Sequence, residues 1–262
     1  MQEKNSSKTK NANQIKSKYI EIKEYYRSFT IELRQYLLKT IKKSIMRTFK
    51  TINQIQLVTG KLVCTLKSGK GKQVVHQRQG SLDSACSAYS LSMALIIIGI
   101  IDAQDIIDNN LRKNTREGKF IRDLVENNGW YNEGRTFSNV KEQTDSYLGK
   151  IVQTTIFKEK DGDIMNFIKD QIENDLPVLL DIQYDGNGHA IVVVGLLYDK
   201  NEKLEALLCL DPGFDTPIIS AWNCMIKIKK SGSRDYPHHW YSINGKSQPN
   251  VYLHEALAIE KK

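Results

Sequence analysis

The chain has 262 residues, 40% hydrophobic and 26% charged, which is the composition of a soluble globular protein with a full core. Its four cysteines, Cys64, Cys86, Cys209 and Cys224, show no CxxC spacing and are too few for a disulfide scaffold, so neither a zinc site nor any other metal or cofactor site is expected. The net charge of +8 is uneven: residues 1–75 carry 17 basic against 4 acidic side chains, or +13, and residues 76–262 carry 21 against 26, or −5.

Residues 1–14, rich in Asn, Ser and Lys with little to bury, read as a disordered tail. The first 18 residues have no apolar centre of the kind a secretory signal needs, and the run 94–101 is too short to span a bilayer, so a cytoplasmic location is expected. From Ile15 the pattern turns helical. Leu33, Leu37, Ile41 and Ile45 fall four apart, Phe49 or Ile52 extends the row toward Leu57, and basic residues from Arg34 to Lys50 cover much of the rest. Residues 15–73 therefore read as a basic helical extension ahead of a main domain at 74–262. The charge difference favours docking of this extension on the main domain as a restraining pro-segment, with the flexible KSGKGK loop at 67–72 as a cleavable junction. An acidic partner or an anionic surface is the other contact its basic face fits, and nothing in the pattern points to nucleic acid.

Leu57 to Thr65 reads as a strand. A helix begins near Ala85, with Asp83 and Ser84 as N-cap residues and Ala88, Leu91, Leu95 and Ile98 as its apolar positions. Helices follow at 102–111, 119–127 and 164–174, with a strand at 151–157 and a connection carrying Trp130 and Tyr131 between them. The second half is β structure, with strands at 177–183, 190–198, 206–210, 226–228 and 251–259, and turns at 184–188, 199–202 and Asn244-Gly245. Helices first and antiparallel strands after is an α+β arrangement.

Cys86 falls in the first turn of its helix, where unpaired N–H groups and the positive end of the helix dipole favour a thiolate. Gln79 can fold back so that its side-chain NH2 and the Cys86 N–H form an oxyanion hole. His189 stands between a Gly-rich turn and an apolar strand. A hairpin between 190 and 210 brings Asp211, at the end of the second strand, close to His189. The aspartate would then accept the Nδ1 proton and leave Nε2 to take the thiol proton. His238 and His239 read as a loop contact or a weak adventitious metal contact rather than a zinc site, and His76, just before the glutamine, as a surface residue first and a cover for the cleft second.

The runs QGSLDSAC at 79–86, GHAIVVVG at 188–195 and LDPG at 210–213 resemble the papain-like cysteine peptidases, especially the double-glycine leader peptidase branch. That resemblance implies a helical lobe carrying the nucleophile packed on an antiparallel sheet carrying His and Asp. It also implies Cys86 as nucleophile, His189 as general base and acid, Asp211 as orienting acid, Gln79 as oxyanion-hole donor, and a protein or peptide substrate. Two alternatives stand beside peptide-bond hydrolysis. The same triad serves transglutaminase-like acyl transfer or deamidation of glutamine side chains. A catalytically inactive binding module is the reading suggested by Ser87, where the family usually has glycine, and by the seven-residue spacing from Gln79 to Cys86.

Overall fold

The computed structural model describes residues 47–80, 84–107, 114–124, 136–158, 162–228, 235–243 and 247–262, and Thr48–Lys262 form one compact unit. The expectations for the tail, the basic helix up to residue 46 and its docking lie outside the described residues. So do Asp83, the ends of the helices begun at 102 and 119, and the Asn244-Gly245 turn.

The stretch in which a helix was expected to run on to Leu57 is extended instead. Thr48–Thr51 forms β1, because Phe49 lies across from Leu197 in an antiparallel pairing and Ile52, fully buried, donates its N–H to Val194 O at 3.0 Å. The predicted strand at 57–65 is a hairpin, β2 (Gln56–Val58) and β3 (Lys61–Thr65), folded at Thr59-Gly60, where both residues have positive φ as a type I′ turn requires. A third strand, β4 (Lys72–Val74), completes this small sheet. The KSGKGK stretch is a hydrogen-bonded turn between β3 and β4 rather than a loose loop: Gly69 N–H donates to Leu66 O at 2.8 Å and Lys67 N–H to Asp102 Oδ1 at 2.7 Å.

Helix α1 (Cys86–Ile97) is buried nearly all round, which its mix of Ser, Ala and large aliphatics permits. It ends at Gly99, φ +69°, in a Schellman motif in which Gly99 N–H bonds Ile96 O and Ile100 N–H bonds Leu95 O. Two short helices, α2 (Ala103–Ile107) and α3 (Arg116–Arg122), follow. Helix α4 (Phe137–Leu148) escaped the sequence reading, since only Phe137, Val140, Thr144 and Leu148 face inward and the rest is polar. Helix α5 (Ile164–Glu173) starts on Asp163, whose carboxylate caps Met165 N–H and Asn166 N–H.

The main sheet has eight strands among the described residues: β1, β5 (Val152–Lys158), β6 (Val178–Tyr184), β7 (Asn187–Tyr198), β8 (Leu204–Leu210), β9 (Cys224–Ile228), β10 (His238–Ser242) and β11 (Ser247–Lys261). Antiparallel pairings β6–β7, β7–β8, β8–β9, β9–β10, β10–β11 and β11–β6 close a ring of six, which removes the open edges of those strands. β1 and β5 extend it along β7 and β11. The turn between β6 and β7 is tighter than expected, Asp185-Gly186 alone, so Gly188 and His189 belong to the strand. Helix α1 packs on β7, with Ser90 Oγ donating to Ala190 O at 2.9 Å, and this contact brings the helix start to the site.

Candidate active site

Cys86 opens α1 behind Ala85, which occupies the N-cap position without a side-chain hydrogen bond, in place of the expected Asp83 or Ser84. First-turn N–H groups therefore stay available to an anion. The Cys86 sulfur, half-buried, accepts a hydrogen bond from Ala190 N–H of β7 at 3.4 Å, the residue that follows His189 in the strand. The thiol is thus held between two elements, the helix start and the strand across from it. The other three cysteines are buried.

The β7–β8 hairpin pairs Val192 with Leu210, so the start of one strand lies beside the end of the next. His189 Nε2 donates to Asp211 Oδ1 at 2.8 Å, with the imidazole largely buried and the carboxylate fully so. This reverses the expected ring orientation: Nε2 meets the aspartate, and Nδ1 is the nitrogen left for the thiol. The physical reason is that His189 lies inside β7, three residues beyond Gly186 of the tight turn, so its ring meets Asp211 through Nε2. Asp211 Oδ1 also accepts from Gly213 N–H at 2.7 Å in an Asx turn, which Asp-Pro-Gly favours. A Cβ at Gly213 would lie 3.2 Å from that oxygen, so the turn closes tightly on it.

Burial disfavours the Cys86 thiolate, but the hydrogen bond and charge of His189 and the N–H groups of Ala190 and Ser87 outweigh it and hold the thiol below its ordinary range. Burial likewise disfavours a charged His189, yet its bonds to Asp211 and Cys86 push it up to about 10. The two shifts run in opposite directions, the thiol down and the imidazole up, and both favour a thiolate beside an imidazolium.

Trp240 of β10 covers the imidazole, with ring centroids 5.4 Å apart, and packs on Phe214 at 5.5 Å and Tyr184 at 5.7 Å. No local pattern announces this aromatic cover: the stretch expected as a loop is strand β10, and Trp240 reaches His189 only through its pairing with β9 and β11. His238 and His239 are consecutive on β10, and consecutive side chains on a strand point to opposite faces, so they do not chelate together. No cluster of three or more potential metal ligands occurs among the described residues. Gln79 is held beside the site by its N–H, which donates to Pro212 O at 2.9 Å. His76 is buried, which corrects the expectation of a surface residue: its ring is held between Asp211 O and Thr216 Oγ1. A cavity of about 520 Å³ is lined in part by Arg78, Gly213, Phe214, Ile219 and Asn223, and Cys86 and His189 are not among its lining residues.

Residues 71–230 match the Peptidase_C39 like family. No curated protein matches the chain. Among solved structures, that of UfSP from C. elegans aligns with 12% identity and a TM-score of 0.34, over 84% of this chain and 38% of that one. The chain thus spans well under half of the length of that relative. No helix among the described residues is long and apolar enough to cross a membrane.

Proposed function

Because the chain belongs to the Peptidase_C39 like family, a family of cysteine peptidases, we propose that it hydrolyses peptide bonds with Cys86 as nucleophile, His189 as acid and base, Asp211 as the group that orients the imidazole, and Gln79 as oxyanion donor. The observation that carries this reading is the bond from His189 Nε2 to Asp211 Oδ1 at 2.8 Å, with the N–H of the next residue in β7, Ala190, on the Cys86 sulfur at 3.4 Å. The thiolate attacks the substrate carbonyl carbon, and the resulting oxyanion is held by the Cys86 N–H and the Gln79 side-chain NH2. His189 gives its Nδ1 proton to the leaving amine as the C–N bond breaks, which leaves an acyl thioester on Cys86. A water, deprotonated by the now neutral His189, attacks the thioester, releases the carboxylic acid and restores the thiolate.

Asp211 does not change protonation in this scheme. It accepts from Nε2 throughout and so aims Nδ1 at the sulfur. Trp240 and Phe214 shield the His189 to Asp211 bond from water, which strengthens it. The motifs at 79–86 and 188–195 support a place near the double-glycine leader peptidases.

The test is mass spectrometry of peptide termini from cells expressing the natural chain and Cys86→Ala. New termini seen only with Cys86 present support hydrolysis, and their sequences give the cleavage preference. Termini that appear equally with both chains refute the assignment. Ammonia release without new termini replaces it with glutamine deamidation or acyl transfer.

A further inference from the structure

The buried imidazole of His76 has no part in the scheme above, yet its neighbours are the residues that the scheme needs. Asp211 is held by its main chain as well as by its carboxylate. Its N–H donates to Asn223 Oδ1 at 2.7 Å, and its C=O accepts from Asn223 Nδ2 at 2.8 Å and from His76 Nε2 at 2.9 Å. Asn223 is itself fixed between strands, with its N–H on Cys209 O and its C=O accepting from Ile243 N–H. On the opposite edge of the His76 ring, Nδ1 lies 3.1 Å from Thr216 Oγ1.

These partners fix the tautomer. A carbonyl oxygen only accepts, so Nε2 carries the proton and Nδ1 accepts from the Thr216 hydroxyl. The two Asn223 amide hydrogens go to Asp211 O and Asp215 O, so its 3.1 Å approach to His76 Nε2 is a contact without a bond. Burial holds the ring below the ordinary histidine range, consistent with a neutral imidazole. Three residues later, Gln79 N–H donates to Pro212 O at 2.9 Å. Segment 76–79 thus makes two bonds to the consecutive carbonyls of Asp211 and Pro212.

We propose that His76 is a positioning residue: it ties the segment that carries Gln79 to the carbonyl of Asp211, so that the oxyanion donor and the orienting acid keep one spacing across the thiolate. The proposal rests on the catalytic roles assigned in the preceding subsection. A neutral imidazole suits this place because it offers a donor on one edge and an acceptor on the other, and so bridges the buried Asp211 carbonyl and the Thr216 hydroxyl.

The experiment measures kcat and KM on one cleaved peptide for the full chain, its Cys86→Ala control, His76→Ala, His76→Gln, Gln79→Ala and the His76→Ala/Gln79→Ala pair, with Tm for each. His76→Ala is expected to lower kcat by on the order of 10²-fold with KM little changed, the usual consequence of displacing catalytic groups by about 1 Å. His76→Gln, whose amide nitrogen can stand where Nε2 stands, recovers most of that loss. In the Gln79→Ala background the His76→Ala effect shrinks, because the donor it positions is gone. The proposal is overturned if His76→Ala turns over at the natural rate, if its loss and that of Gln79→Ala multiply in full, or if His76→Gln is as impaired as His76→Ala at unchanged Tm. If Cys86→Ala retains cleavage, the catalytic reading falls and this one with it; if Cys86→Ala is inert while His76→Ala is fully active, the positioning role alone falls.

Discussion

Asp211→Asn isolates the charge of the aspartate from its shape. Asp211 Oδ1 accepts from His189 Nε2 at 2.8 Å and from Gly213 N–H at 2.7 Å, and the asparagine carbonyl oxygen fits the same two bonds. A hydrogen bond to a charged group is worth about 1.5–3 kcal/mol and a neutral one about 1, so the substitution removes roughly 0.5–2 kcal/mol of preference for the imidazolium. At about 1.36 kcal/mol per pKa unit that is about one unit. The sign follows from the scheme. Activity needs the thiolate, which forms as pH rises through the lowered Cys86 value, and the His189 proton, which is lost as pH rises through about 10. Weakening the imidazolium moves the alkaline limb of kcat/KM down by about one unit and the acid limb up, so the active window narrows from both sides, each limb belonging to the coupled pair. Steady-state kinetics from acid to alkaline pH, with Tm as the control for folding, provide the test. Unmoved limbs and an unchanged kcat/KM in Asp211→Asn would refute the role given to Asp211.

Gly195→Ala places a methyl 2.5 Å from Lys50 O and 3.1 Å from Thr51 Cγ2, so β1 must shift. A loss of about 1–3 kcal/mol is expected, read as a fall in Tm of roughly 2–12 °C, and an unchanged Tm would mean that β1 does not lie against Gly195 in solution. A chain starting at Thr48 retains every described core residue. One starting at Gly71 loses Ile52, Ile55, Leu62 and Val63, all buried. At about 1.5–3 kcal/mol each this removes on the order of 6–12 kcal/mol, comparable to the whole stability of a domain. The shorter chain should lack a cooperative thermal transition, and a sharp one would contradict the assignment of 48–70 to the core. Trp240→Ala should cost about 3–5 kcal/mol of stability and also lower kcat, whereas Trp240→Phe keeps a ring over His189 and most of the rate; equal kcat in all three would deny the ring any part in the site.

The juxtaposition of Cys86, His189 and Asp211 was legible because it follows from short-range rules. Cys86 opens an apolar run with helical spacing, and the turn signals at Asp199 set a hairpin whose register brings His189 to Asp211. The ring orientation of His189 was not legible, since it depends on the tight Asp185-Gly186 turn placing the histidine within β7, and sequence alone allowed a turn running to Gly188. Helix α4 and strand β10 were missed for a shared reason. Each buries few side chains, so neither carries a strong period, and tertiary pairing decides the matter: β10 exists because β9 and β11 flank it. The same holds for β1, where Phe49 and Ile52 fit a helical row four apart as well as they fit an extended segment against β7. His76 was invisible for a different reason. Its partners Asp211, Thr216 and Asn223 are more than 130 residues away, and no local pattern announces a bond of that range.

The central claim is that the Cys86 sulfur forms a covalent bond to the acyl half of a cleaved peptide. Acid quenching of the protein during turnover of a peptide ester, followed by intact mass and peptide mapping, tests it directly. The expected result is an acyl adduct on Cys86 that accumulates to at most one per chain and is absent from Cys86→Ala, which also fails to cleave. Turnover without any adduct, an adduct on Cys64, Cys209 or Cys224, or undiminished cleavage by Cys86→Ala would contradict it.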